Sequence, residues 1–219
     1  MTDKNSWNSL RSNAPLLSYS LLFQNVQQRE LLADILSLGL EFDFIIAQAS
    51  EPILALIRLK WWEEQINSPV KVDNLPLLDK LNIHISAGYL SRSQVISLIQ
   101  RWQIYAETNP KTHQKNTQKA SQKAGQACWS ELLTVCTHLC GLEKHELARQ
   151  IGAALYDSRR DTLPSGLPSA RQIYQIYGKG AEFLIIIAYL ARRRPSSGIT
   201  SDNLILFKII WQIFTKPSV

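Results

Sequence analysis

SEPILALIRLKWWEEQI, Ser50 to Ile66, is the stretch whose reading decides the fold. Ser50 is placed to cap a helix by accepting from a free N–H, and Pro52 falls in the first turn, where its missing donor costs nothing. Ile53, Leu54, Leu56, Ile57, Trp61 and Ile66 follow helical spacing, with Lys60, Glu63 and Glu64 set among them. Arg58 stands between Ile57 and Leu59, just before Trp61 and Trp62. An arginine on so apolar a helix must reach water, a carboxylate or a phosphate. Arg58 and Trp62 are four apart, so they share a face and could stack. The plain alternative is a core helix whose arginine snorkels to solvent.

Outward from this helix the same periodicity continues. A first helix is expected over Pro15–Leu22, after a polar, flexible segment 1–14 from which only Trp7 packs back. A second helix is expected over Gln27–Ala49, carrying Leu31, Leu32, Ile35, Leu38, Phe42, Ile45 and Ile46 inward. It adjoins the Ser50 helix with almost no loop, which predicts antiparallel neighbours. Downstream, Pro76–Ala87 reads as a short helix, and Ser91 caps another running to Thr108. Further helices are expected from Ala124 to Cys140 with Gly141 at the C′ position, from Glu143, from Ser169 to Tyr177, over Glu182–Arg194 and over Asp202–Phe214. No alternating strand pattern of useful length occurs. The reading is one all-α domain over residues 15–219.

The chain has 219 residues, enough for a single substantial core, and 45% of them are hydrophobic. A net charge of +6 permits acidic partners, whether diphosphates, anionic lipid or nucleic acid, without choosing among them. The odd cysteine count (Cys128, Cys136 and Cys140) and the polar start Met1-Thr2-Asp3-Lys4-Asn5 point to a reducing interior with no cleaved leader. No apolar run is long enough to span a membrane. The expectation is a cytoplasmic protein that can also lie peripheral to the inner membrane.

Several clusters have competing readings. Lys111, Lys115, Lys119 and Lys123 recur every four residues in a stretch free of acidic residues. If helical they form one basic stripe, read either as a solvated face or loop or as a surface for anionic membrane or phosphate, with Arg192, Arg193 and Arg194 as a second basic group. Aromatics are not interleaved with the lysines, so nucleic acid is not an expected partner. Cys136, His138, Cys140 and His145 do not share one face and lack a second Cys-x-x-Cys pair, so buried thiols are preferred to a metal site. His84 and His113 show no partner in sequence and read as ordinary polar positions.

The run Ser50-Glu51-Pro52 followed by Ile57-Arg58-Leu59-Lys60-Trp61-Trp62 resembles the signature of the squalene/phytoene synthase superfamily. In particular it is similar to the divergent bacterial branch related to the mitochondrial complex I assembly factor of that fold. The resemblance implies an isoprenoid-synthase-like helical bundle. Its catalytic members hold Mg²⁺ between two acidic motifs on facing helices and condense two prenyl diphosphates. Here the first motif reads Asp43-Phe-Ile-Ile-Ala47, with alanine at the second acidic position; the second reads Asp157-Ser158-Arg159-Arg160-Asp161, with Ser165 at the later one. Each motif lacks half of its carboxylates.

The resemblance therefore implies a central cleft lined by Asp43, Arg58, Trp62, Asp157, Arg160 and Asp161. Asp43, Asp157 and Asp161 are its candidate catalytic acids, Asp43 and Asp161 its candidate Mg²⁺ ligands, and Arg58, Trp62 and Arg160 its candidate ligand contacts. Glu30 and Asp34, also four apart, offer a second acidic pair, or else a solvated face; Asp157 and Asp161 could instead bridge to Arg159, Arg160 or Arg58. The expected role is a prenyl- or lipid-binding protein or an assembly-type factor for a respiratory complex. The alternative is a Mg²⁺-dependent prenyltransferase joining two prenyl diphosphates head to head.

Overall fold

A computed structural model describes residues 6–68, 75–108, 115–159, 167, 169–177 and 182–191. Among these residues ten helices follow one another and there is no strand. They are α1 (Ser6–Asn13), α2 (Pro15–Tyr19), α3 (Val26–Gln48), α4 (Pro52–Asn67), α5 (Pro76–Ser86), α6 (Arg92–Thr108), α7 (Lys115–Leu139), α8 (His145–Ser158), α9 (Ala170–Tyr177) and α10 (Glu182–Ala191). The chain is all-α, as its periodicity predicts. The expected helix over Asp202–Phe214, the Arg192–Arg194 cluster, His113 and Lys111 lie outside the described residues.

Several helix ends are set by the residues that the sequence singles out. Ser91 accepts from the Gln94 N–H at 3.1 Å while the Gln94 side chain accepts from the Ser91 N–H at 2.9 Å, a reciprocal capping box. Ser169 and Gln172 repeat it at the start of α9, at 3.3 and 2.7 Å. Gly141 adopts φ +71°, and Leu142 N–H donates to Thr137 and Gly141 N–H to His138, the two bonds of a Schellman ending. Gly88, at φ +77°, ends α5 in the same way.

Other ends depart from expectation. Residues 6–13, expected to be flexible, form α1, because Leu10 finds a fully buried site and Trp7 packs against the core. Ser50 does not cap α4. The cap position is Glu51, which makes no side-chain cap hydrogen bond, and Pro52 opens the helix. Asn25 caps α3 instead, its side chain accepting from the Gln28 N–H at 2.9 Å. The lysine-rich stretch is helical from Lys115, nine residues before the expected start at Ala124, and Lys119 and Lys123 are exposed on it.

Two of the most extensive helix–helix joints hold much of the bundle. The more extensive is α7 on α8, where Gly152 lets the backbones meet: a Cβ there would run into the Trp129 carbonyl oxygen and the Ser130 backbone. Ser130 Oγ donates to the Arg149 carbonyl across the same seam at 2.7 Å. The second is α4 on α6. Here Glu63, 9% exposed, accepts from Lys60 at 2.9 Å, Gln103 at 3.0 Å and Gln100 at 3.4 Å.

Those bonds, led by the one from Lys60, hold the Glu63 carboxyl below its ordinary value of 4.5. A group lowered in the fold stabilises it above its unfolded value, and that stabilisation is lost as pH falls through the lower folded value. Wild type should therefore be more stable than the Glu63→Gln variant at pH 6, with the gap closing below about pH 4.5. Urea midpoints of both proteins from pH 6 to pH 3 measure this; a gap that does not change with pH would count against it.

Candidate functional site

Asp43 lies on α3 one residue after Phe42, which is fully buried. Its carboxylate is therefore held at the edge of the core, with the side chain 20% exposed. Trp102 on α6 and Trp129 on α7 are both completely buried. A buried indole N–H needs an acceptor, and both find the same one. Trp102 Nε1 donates to Asp43 Oδ1 at 3.0 Å, and Trp129 Nε1 donates to Asp43 Oδ2 at 2.9 Å. Arg159, the residue that closes α8, completes the group: its Nη1 donates to Asp43 Oδ2 at 2.8 Å. The same guanidinium lies 4.5 Å over the Trp129 ring.

The rings form a continuous line. Trp61 meets Trp62 edge-on at 6.0 Å, Trp62 meets Phe42 at 5.7 Å, Phe42 meets Trp102 at 5.7 Å and Trp102 meets Trp129 at 6.4 Å. The tryptophan pair of the Ser50–Ile66 stretch is thus joined through one phenylalanine to the indoles that hold Asp43. Trp62 is buried in this line and Arg58 is exposed. The possible Arg58–Trp62 stack is not formed, and the alternative of an arginine reaching solvent holds: Trp62 turns into the core beside Phe42 and Trp61 while Arg58 is exposed. Arg58 acts instead as the charge opposing the upward push that burial gives the Glu41 carboxyl.

Of the six residues expected to line one cleft, Asp43, Arg58, Trp62 and Asp157 are described, and each meets a different set of partners. Asp157 accepts from Gln126 at 2.8 Å and from Gln122 at 3.0 Å, so its partners are two α7 amides rather than an arginine. Arg160 and Asp161 lie outside the described residues. The ion pair at the centre is made by Arg159, which was expected beside Asp157 or Asp161, and it reaches across the bundle to Asp43.

No family model, curated protein or solved structure matches the chain. The chemistry of the site therefore has to be read from its own atoms. Mg²⁺ takes oxygen ligands, whereas the groups around Asp43 are two indole N–H donors and a guanidinium, none of which can ligate a metal. Among the described residues no group of three or more His, Cys, Asp or Glu side chains is placed to hold an ion. Asp161, the other candidate Mg²⁺ ligand, lies outside the described residues.

Two other acidic positions resolve differently from their simplest readings. Asp34 is not part of a solvated face: it is 3% exposed, and His84 Nε2 lies 2.9 Å from its Oδ2. Glu30 is separate from it and accepts from the Trp7 backbone N–H at 3.2 Å, tying α1 to α3. Burial pushes the thiols up, Cys140 to about 12 and Cys136 well above its ordinary value, which suits inert core cysteines. No described helix is long and apolar enough to cross a membrane.

Proposed function

We propose that the chain is a non-catalytic, squalene/phytoene synthase-like protein that uses its helical body to bind a prenyl or lipid-like ligand or to act as an assembly-type factor. What supports this reading is the state of Asp43. In a working synthase the carboxylate at this place would be turned to metal; here both of its oxygens are taken by Trp102, Trp129 and Arg159. Freeing it would leave two buried indole donors and one guanidinium without their acceptor, a cost of several kcal/mol before any metal is gained. A carboxylate so engaged serves as a structural tie, consistent with motifs that each lack half of their acids.

The test is incubation of the full chain with radiolabelled farnesyl diphosphate and Mg²⁺, with extraction into organic solvent. The expected result is no hydrocarbon product, together with ligand-dependent protection in a thermal shift run without Mg²⁺. A labelled hydrocarbon or cyclopropyl diphosphate that disappears in the Asp161→Ala variant would overturn the reading and establish the synthase.

A further inference from the structure

The end of α7 and the start of α8 bring two imidazoles together. His138 lies in the last turn of α7 and His145 opens α8; their ring centroids are 6.3 Å apart, with the planes inclined at 55°. His138 is exposed, and its ring has no hydrogen-bond partner among the described residues. His145 is half-buried and faces Thr137, whose Oγ1 lies 3.4 Å from the ring Nδ1. That hydroxyl gives its single proton to the Thr134 carbonyl at 2.8 Å, so toward the ring it can only accept. The contact therefore places the proton of a neutral His145 ring on Nδ1 and leaves the Nε2 lone pair unoccupied. An acceptor on one ring nitrogen is what orients a metal-binding histidine through the other.

We propose that His138 and His145 together bind a divalent transition metal of the Zn²⁺, Cu²⁺ or Ni²⁺ class, through one ring nitrogen each. Imidazole suits these ions, whereas Mg²⁺ and Ca²⁺ take oxygen. A metal about 2.0–2.1 Å from a ring nitrogen lies about 3 Å from the ring centre, so two rings that share it have centroids roughly 5 to 6 Å apart. Turning the exposed His138 ring between its rotamers closes the observed 6.3 Å to that span. The last turn of α7 favours a cation and the first turn of α8 disfavours one, so the two helix ends largely offset and the imidazoles set the affinity. Cys136 is buried, and no third His, Cys, Asp or Glu side chain completes the set among the described residues. Two protein ligands leave the remaining coordination positions to water. Such a site exchanges its ion readily, and when occupied it clips the turn between Leu139 and His145 across the α7–α8 joint.

The inference is independent of the ligand-binding reading above. Isothermal titration of the metal-free full chain with Zn²⁺ should show one site, and Mg²⁺ over the same range should give no binding heat. Loss of a supporting partner alone costs a metal site about 10- to 100-fold, so removing a ligand should cost at least as much. His138→Ala should therefore weaken Zn²⁺ binding by about 10-fold or more at unchanged helicity, since His138 is exposed, whereas His113→Ala should leave it unchanged. In NMR spectra the ring signals of His138 and His145 should shift together on adding Zn²⁺, while those of His84, held by Asp34, stay in place. No binding up to about 1 mM Zn²⁺ would overturn the site. Binding that survives His138→Ala, or a Zn²⁺ shift at His84 or His113 in place of the pair, would overturn it as well.

Discussion

Replacing Asp43 by alanine should lower the stability of the protein by about 3 kcal/mol or more, read as a fall in the urea midpoint. The loss arises because one carboxylate answers three donors. Trp102 and Trp129 are fully buried and would each keep an unpaired N–H, and Arg159 would lose its ion pair. Arg159→Ala should cost much less, about 1 kcal/mol, because that side chain is 36% exposed and the two indoles keep their acceptor. Asp43→Asn should fall between the two, since its amide nitrogen would meet a donor where an oxygen now accepts. If Asp43→Ala proved no more destabilising than Arg159→Ala, the carboxylate would not be the tie described here.

Gly152→Ala should be comparably damaging, by about 3 kcal/mol, for a different reason. An alanine is ordinarily favoured over glycine inside a helix by about 1 kcal/mol. At Gly152 the added methyl would meet the Trp129 carbonyl and the Ser130 backbone, neither of which can turn aside, so α8 would have to move away from α7. Gly39 provides the contrast. A Cβ there would meet the Leu132 side-chain methyl at 2.7 Å, the end of a flexible side chain, and Gly39→Ala should change stability by less than about 1 kcal/mol. Thermal unfolding of the two variants should separate them by roughly 5 to 10 °C; equal melting temperatures would show that the α7–α8 seam can open.

Much of the helical layout was legible because the periodicity is local and the caps are encoded nearby. Ser91 with Gln94, Ser169 with Gln172, and Gly141 each do their work within three to five residues. Ser50 failed as a cap because the first helical turn began beyond its reach, and α1 was missed because one buried leucine outweighs a polar stretch. The site was half legible. Asp43 could be picked out, but its role could not, since its partners lie on three other helices. A usable signal was nonetheless present. Trp102 and Trp129 both fall at core positions of their helices, each bringing an N–H that needs an acceptor, and Asp43 follows a core phenylalanine. The buried Asp34–His84 pair was hidden by the same distance in sequence.

The Arg159–Asp43 pair joins residues 116 positions apart, and the two indole bonds to the same carboxylate span 59 and 86. During synthesis α3 leaves the ribosome long before α8, so Asp43 meets its donors in turn, Trp102, then Trp129, then Arg159. The earlier helices can collapse on one another without the arginine, but the joint is complete only when the end of α8 arrives. Chains cut short before Arg159 would carry a carboxylate with two donors instead of three.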